Sequence, residues 1–386
     1  MSRGRGTPDF LLLFLTFLLV GFGIIMVFSA SSMMAVSNPK FLNDALYFTK
    51  KQVLFAGLGT VGMLALMNIP FQRLKRFFIP YFAVVVVLLF TVLFIAEETK
   101  GAKSWLPIFG SFQIQPTEFA KLAVILYLSS LIQKKGERFR DFQKGLLPVL
   151  IILGFVCGLI MLQPDFGSCM ILLSCALIVI IAGGADLKQL FVTGGILGGI
   201  SGLFSTLYLL TSEDGPGYRV ARLTSYLNPW EDRLGDGYQL IQSLYALGHG
   251  GFTGTGIGQS IQKLHYLPEP HNDFIFAIIG EELGFLGSFL FLTVYLLFIW
   301  RGFIVALRSP DIQGTLIGIG IMGLVAVQAL INIGGVTGTI PITGVTLPFI
   351  SYGGSSLLVM MASMGILLSI SREATRESAS EKKKRA

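Results

Sequence analysis

Six ionisable residues stand inside or at the lip of otherwise apolar stretches: Glu118, Lys121, Asp165, Asp273, Glu281 and Glu282. A charge in hydrocarbon costs a few kcal/mol and is usually kept for function, so each of these needs a partner or a task. Glu118 and Lys121 in IQPTEFAKL are three apart, share a helix face and can pair. Such a pair either orients helices or takes part in chemistry. In LQPDFG, Gln163 and Asp165 mark a Pro-containing break between two short spans, where Asp165 either caps the next helix or lines a site. Asp273 follows Pro268 and Pro270 in LPEPHNDFIFAIIGEELG, where an N-cap or first-turn residue would sit and exposed amides would stabilise its negative form. On an ideal helix Glu281 is about 80° round and ~12 Å deeper than Asp273, with Glu282 on the opposite face, so no close carboxylate pair forms.

One isolated carboxylate limits the chemistry. Glycoside hydrolysis normally uses two carboxylates about 5 to 10 Å apart, one of which protonates a poor leaving group. Glycosyl transfer from a lipid diphosphate differs, because its leaving group departs as a stabilised anion. One base with basic residues nearby suffices. Arg219, Arg222 and Arg233 precede Asp273 and suit bidentate phosphate contacts. A Mg²⁺ or Mn²⁺ ion would favour the same carboxylate and phosphate oxygens. Trp105 could stack on a sugar face or anchor at a membrane interface. PFISYGGSS, with Ser351, reads either as a backbone-rich substrate wall or as a Gly-flexible loop.

The elements that must position these residues are transmembrane helices. Of 386 residues 53% are hydrophobic and 13% charged, and mean hydropathy is +0.72. Apolar runs near the ~20 residues that cross a bilayer recur along the chain, and their continuity contradicts the alternation of a β-barrel. The fold class is all-α and polytopic, with about ten spans near 10–30, 51–68, 77–96, 115–132, 146–162, 167–183, 188–210, 273–300, 314–333 and 352–371. With both termini cytoplasmic, inner Lys and Arg outnumber outer ones roughly two to one, as the positive-inside rule requires. The net charge of +7 then faces anionic headgroups and calls for no nucleic acid. The first span is expected to be a retained anchor.

Residues 1–386 read as one membrane domain, with a basic cytoplasmic tail over 372–386 and an extracellular cap over 212–272 between spans seven and eight. Loops of that length are usually functional or disordered. Within the cap, GYQLIQSLYALG has helical apolar spacing that could lie flat on the membrane. GGFTGTGIGQS lacks the βαβ setting of a dinucleotide fingerprint and reads as a tight flexible turn. Cys157, Cys169 and Cys175 show no paired spacing and read as packing residues. His249, His265 and His271 share the outer loop without a short ligand spacing.

Five stretches, GAKSWLPIFGSFQIQPTEFAKL, QPDFG, YLNPWEDRLGDGYQLIQSLYALG, YLPEPHNDFIFAIIGEELG and TGTIPITGVTLPFISYGGSS, together resemble the SEDS family (shape, elongation, division and sporulation), nearest its FtsW and SpoVE branch and related to RodA. The resemblance covers nearly the whole chain. It implies a peptidoglycan glycosyltransferase that polymerises lipid II at the outer face of the bacterial cytoplasmic membrane during division or sporulation. Asp273 would be the catalytic Asp of the HxDFIFA motif, inverting the donor sugar and releasing undecaprenyl diphosphate. Trp105 matches the family's functional Trp, and Glu118 and Lys121 its QPxEFxKL pair. Together with Asp165, Arg219, Arg222, His271 and Ser351 these are the substrate-binding candidates. The expected partners are a class B penicillin-binding protein, lipid II, undecaprenyl-linked glycan and other division or sporulation membrane proteins. The rival expectations are a lipid II flippase and a non-catalytic scaffold.

Overall fold

In hydrocarbon no water can satisfy a bare peptide group, so long apolar runs close their hydrogen bonds internally as helices. The computed structural model describes residues 6–96, 104–109, 112–196, 226–235 and 237–385; in these the expected spans are helices, and the 197–210 part of the span expected over 188–210 lies outside the described residues. The helices are α1 Phe10–Ser37, α2 Tyr47–Asn68, α3 Phe71–Ile95, α4 Pro116–Lys135, α5 Leu147–Met161, α6 Phe166–Ala182 and α7 over 187–196. They continue with α8 Tyr238–Gly250, α9 Ile275–Leu307, α10 Ile312–Val336 and α11 Gly354–Arg385. Among the described residues six helical segments are long and apolar enough to cross a membrane, and α6 is a shorter apolar helix. α3 begins at Phe71, six residues before its expected start, so Arg73, Lys75 and Arg76 lie on a helix instead of in a loop.

The helices sort by burial. α11 has 83% of its most apolar window inside the protein and α3 only 22%, so α11 is a central element and α3 a peripheral one. α3 presents Phe77, Val84, Val87, Phe90 and Phe94 outward, as a lipid-facing helix should. α4 is buried along most of its length against α3, α6 and α10.

Side-chain contacts define two ends. At the end holding the first described residues, Asp9 caps α1 through the Leu12 amide (3.0 Å) and accepts from Nε and Nη2 of Arg301 near the close of α9 (3.1 and 2.7 Å). Lys75 pairs with Asp311 and Arg372 donates to Asn68 (2.6 Å) at the same end. The opposite end collects the loops that carry the candidate residues. It includes a small antiparallel hairpin, β1 Leu106–Phe109 and β2 Phe112–Ile114, paired Leu106 to Ile114, which a search for apolar spans does not reveal.

Helix α8 departs from its expected place. Its buried Leu240, Ile241, Ser243 and Ala246 pack on the protein, and Ser243 Oγ donates to the Val336 carbonyl at the end of α10 (2.7 Å). The apolar stripe therefore docks on α9 and α10 instead of lying on lipid.

Candidate functional site

Asp273 lies in the turn over 271–274 that leads into α9, and it is half-buried. The N-cap residue of α9 is Phe274, which has no side-chain oxygen to offer, so Asp273 stands one residue before the cap position expected of it. Asp273 lines a small pocket with Phe274, Asn332, Val336, Thr343 and Gly344. A Cβ on Gly344 would meet Asp273 Oδ2 at 3.6 Å, so the 337–353 segment runs directly beside the carboxylate. Asn332 Nδ2 donates to the backbone carbonyls of both Asp273 and Val345, at 2.7 Å each.

The lip is held by a break in α9. Gly284 has φ +65° and ψ −166°, a single non-helical residue that kinks α9. The loop over 251–256 fills that break. Thr255 and Gly256 amides donate to the Glu281 and Glu282 carbonyls (3.0 Å each), while the Phe285 and Leu286 amides donate to the Gly251 and Phe252 carbonyls (2.9 and 3.1 Å). Loop backbone thus replaces the helical bonds the kink removes, as a membrane-embedded break requires. A Cβ on Gly284 would overlap the Gly254 nitrogen. The Gly-dense stretch read as a flexible turn is therefore a close-packed splice.

Glu281 and Glu282, both buried, complete that splice with their side chains. Glu281 accepts from His249 Nδ1 and the Ile261 amide at 2.9 Å, from the Gln262 amide at 3.3 Å and from Ser260 Oγ. Glu282 pairs with the buried Lys263 ammonium (2.9 Å) and accepts from Ser29 Oγ of α1 (2.6 Å). Both carboxylates fasten the cap to the helix below Asp273.

On the other side, the segment between α10 and α11 links Asp273 to the starts of α4 and α6. Gly167 lets α6 approach Thr343, whose carbonyl is 2.7 Å from where a Cβ would stand. Asp165 caps α6 through the Ser168 amide (3.0 Å) and accepts from Gln115 Nε2 (3.3 Å) and Thr117 Oγ1 (3.4 Å), so capping is its observed role. Lys121 Nζ donates to Glu118 Oε1 at 2.7 Å with both residues buried, while Glu118 Oε2 has no hydrogen-bond partner among the described residues. Ser351 Oγ accepts from the Leu347 amide (2.8 Å), stiffening the turn. His271 packs on Phe48 with ring centroids 4.3 Å apart, and its carbonyl accepts from the Tyr352 amide (2.9 Å). Burial pushes the Tyr352 phenol up to about 12, so it stays neutral near pH 7. Trp105 is half-buried at the base of the hairpin, next to Ser104, whose Oγ donates to the Gln163 carbonyl (3.4 Å).

Arg219 and Arg222 lie outside the described residues. Arg233 sits over the Trp230 ring at 5.6 Å and donates to its carbonyl (3.3 Å). Among the described residues no group of three or more His, Cys, Asp or Glu could hold a metal ion. The three cysteines are buried and free. Two contributors escape a search for charge. Gln52 of α2 donates to the Ser351 carbonyl (3.2 Å) and accepts from the Gly353 amide (3.4 Å), and Asn332 ties the base segment to the facing wall. Their only sequence signal is an amide side chain within an apolar run.

Residues 10–376 match the family model of FtsW, RodA and SpoVE, described as cell cycle protein. The chain is 44% identical over 377 residues to stage V sporulation protein E of Bacillus subtilis, covering 96% of this chain and 99% of that one. It is 41% identical over 365 residues to a probable peptidoglycan glycosyltransferase FtsW of Trichlorobacter lovleyi, covering 94% and 93%. Among solved structures it is similar, with TM-score 0.76 and 29% identity over 95% of this chain and 98% of the other, to a chain from a study of how a peptidoglycan synthase complex coordinates polymerization and crosslinking. The rod shape determining protein RodA of Thermus thermophilus matches with TM-score 0.66 and 27% identity, covering 95% of this chain and 97% of that one.

Proposed function

The chain belongs to the FtsW, RodA and SpoVE family of cell cycle proteins, and from that premise we infer that it is a peptidoglycan glycosyltransferase that polymerises lipid II, with Asp273 as its general base. The observation that supports the base assignment is position: Asp273 lines the pocket between α9, α10 and the 337–353 segment, with Oδ2 3.6 Å from where a Cβ on Gly344 would stand. Glu118 pairs with Lys121, Asp165 caps α6, and Glu281 and Glu282 join the 249–263 region to α9, which are structural roles.

The step balances as follows. The Asp273 carboxylate takes the proton of the acceptor GlcNAc 4-hydroxyl as that oxygen attacks C1 of the MurNAc on the growing lipid-linked chain. The bond from C1 to the phosphate oxygen breaks on the opposite face, inverting the centre, and undecaprenyl diphosphate leaves with the electron pair. A base of this kind contributes roughly 10²–10⁴-fold. Arg219 and Arg222 are proposed to hold the diphosphate and Trp105 to meet the sugar, while His271 and Ser351, both buried, support that surface from beneath. A Mg²⁺ or Mn²⁺ ion, which favours phosphate oxygens, is proposed to accompany the diphosphate of the substrate, and no step passes through it.

The proposed setting is the bacterial cytoplasmic membrane, with the Asp273 end facing outward and residues 212–272 as its cap. The distribution of basic residues supports this: Arg73, Lys75, Arg138, Arg140, Lys144 and Arg308 all gather at the other end. The proposed partner is a class B penicillin-binding protein, whose transpeptidase crosslinks the glycan, within a division or sporulation assembly. A lipid II flippase is the second reading, favoured by the break in α9, because transporters build substrate paths from discontinuous helices.

Purified lipid II supplied to the protein and its co-purified transpeptidase partner separates these readings. Glycan polymer made in detergent, where there are no two sides to flip between, is the expected result. Lipid II movement across vesicles without polymer would support the flippase, and neither activity from an intact complex would leave a scaffold. Adding a chelator to the same assay tests the substrate-borne cation.

A further inference from the structure

Asn332 is an amide of α10, 4% exposed, whose Nδ2 sits between two backbone carbonyl oxygens, those of Asp273 and Val345, at 2.7 Å from each. Two acceptors on one side fix the orientation of the amide, because only the NH₂ end can donate to both. The two carbonyls belong to different walls of one pocket. Asp273 is on the turn entering α9, Val345 is on the segment between α10 and α11, and the Asn332 side chain joins them across that pocket. Resting on the reading of Asp273 as the base, we propose that Asn332 is a positioning residue for glycosyl transfer, fixing the distance between the base and the facing wall through this double hydrogen bond.

Three features carry the assignment. The turn over 271–274 precedes the helix, so the Asp273 carbonyl lies outside the regular bonds of α9. The N-cap residue Phe274 adds no side-chain hydrogen bond to steady the turn. Asn332 Oδ1, turned away from the two carbonyls, is buried with no hydrogen-bond partner among the described residues. A buried carbonyl oxygen left unmatched costs about 1–3 kcal/mol. An apolar residue would escape that cost but could not make the clasp.

The test uses Asn332→Asp and Asn332→Ala in the full chain with its co-purified partner, measuring lipid II polymerisation, with Asp273→Ala as reference. In Asn332→Asp an ionised carboxylate would present oxygen to two carbonyl oxygens and break the clasp. Its protonated form can donate to one of them. The expected result is a kcat at least tenfold below wild type for both variants, KM within threefold, and partner binding retained. Asn332→Asp alone should lose further kcat as pH rises through the pKa of its buried new carboxyl, a range in which Asp273 is already ionised, and Asn332→Ala should lack that pH dependence. A merely structural role would lower yield and thermal midpoint while leaving kcat of the folded fraction and its pH profile unchanged, and that result overturns the proposal. Should Asn332→Asp not fold, Asn332→Gln replaces it. Its retained amide is expected to keep more kcat than Asn332→Ala, and equal kcat in the two would sink the idea. Full activity in Asp273→Ala would instead remove the base assignment on which the proposal rests.

Discussion

A charge in a membrane bundle persists only when something holds it, and here the holders differ by residue. Glu118 and Lys121 hold each other in a buried pair. Breaking such a pair from one side strands a charge, typically at about 3–5 kcal/mol, whereas replacing both partners by neutral groups is far less harmful. Glu118→Gln and Lys121→Met should therefore each lower thermal stability in detergent clearly, and the double variant should recover at least half of the loss. Equal, additive losses would show that the pair is not coupled. At this scale the sequence was informative where residues are charged. Glu118, Lys121, Asp165 and Asp273 stand out against apolar neighbours because ionisable groups in lipid are costly. Gln52 and Asn332 did not stand out, since a neutral amide costs less and its partners are backbone carbonyls and amides that no spacing rule reveals.

Among the elements, α9 and its splice depend on glycine. Gly284 needs φ +65° and has no room for a Cβ beside the Gly254 nitrogen. Gly284→Ala should detach the 251–256 loop and destabilise the protein by about 2 kcal/mol or more, since strain at a left-handed position adds to overlap. Hydrogen exchange should rise at Thr255 and Gly256. Gly248, exposed on α8 with open space around it, is the control, because Gly248→Ala should be neutral or stabilising by up to about 1 kcal/mol. Unchanged exchange in Gly284→Ala would mean that the splice does not depend on this backbone. Hydropathy located the helices because lipid forces each span to satisfy its own backbone. It overlooked the kink and the β1–β2 hairpin because both depend on contacts that a search for apolar spans does not register.

The whole molecule has a basic end and an Asp273 end, and the proposed orientation turns the latter outward. An impermeant maleimide applied to intact cells should label Ile257→Cys, which is 63% exposed in the cap, and should not label Arg140→Cys at the basic end. The native cysteines are all buried, and the reverse labelling pattern would invert the topology. The fold class was legible because hydropathy acts on the entire chain. The arrangement of the pocket was not, since it is assembled from α9, α10 and the 337–353 segment, which only packing brings together. The central claim is that Asp273 activates the acceptor hydroxyl. Its most direct test is glycan-chain formation from purified lipid II by wild type and Asp273→Ala, each with its transpeptidase partner bound. Polymer is expected from wild type, with a loss of roughly 10²-fold or more in the variant while folding and partner binding stay intact. Comparable polymer from both would contradict the claim.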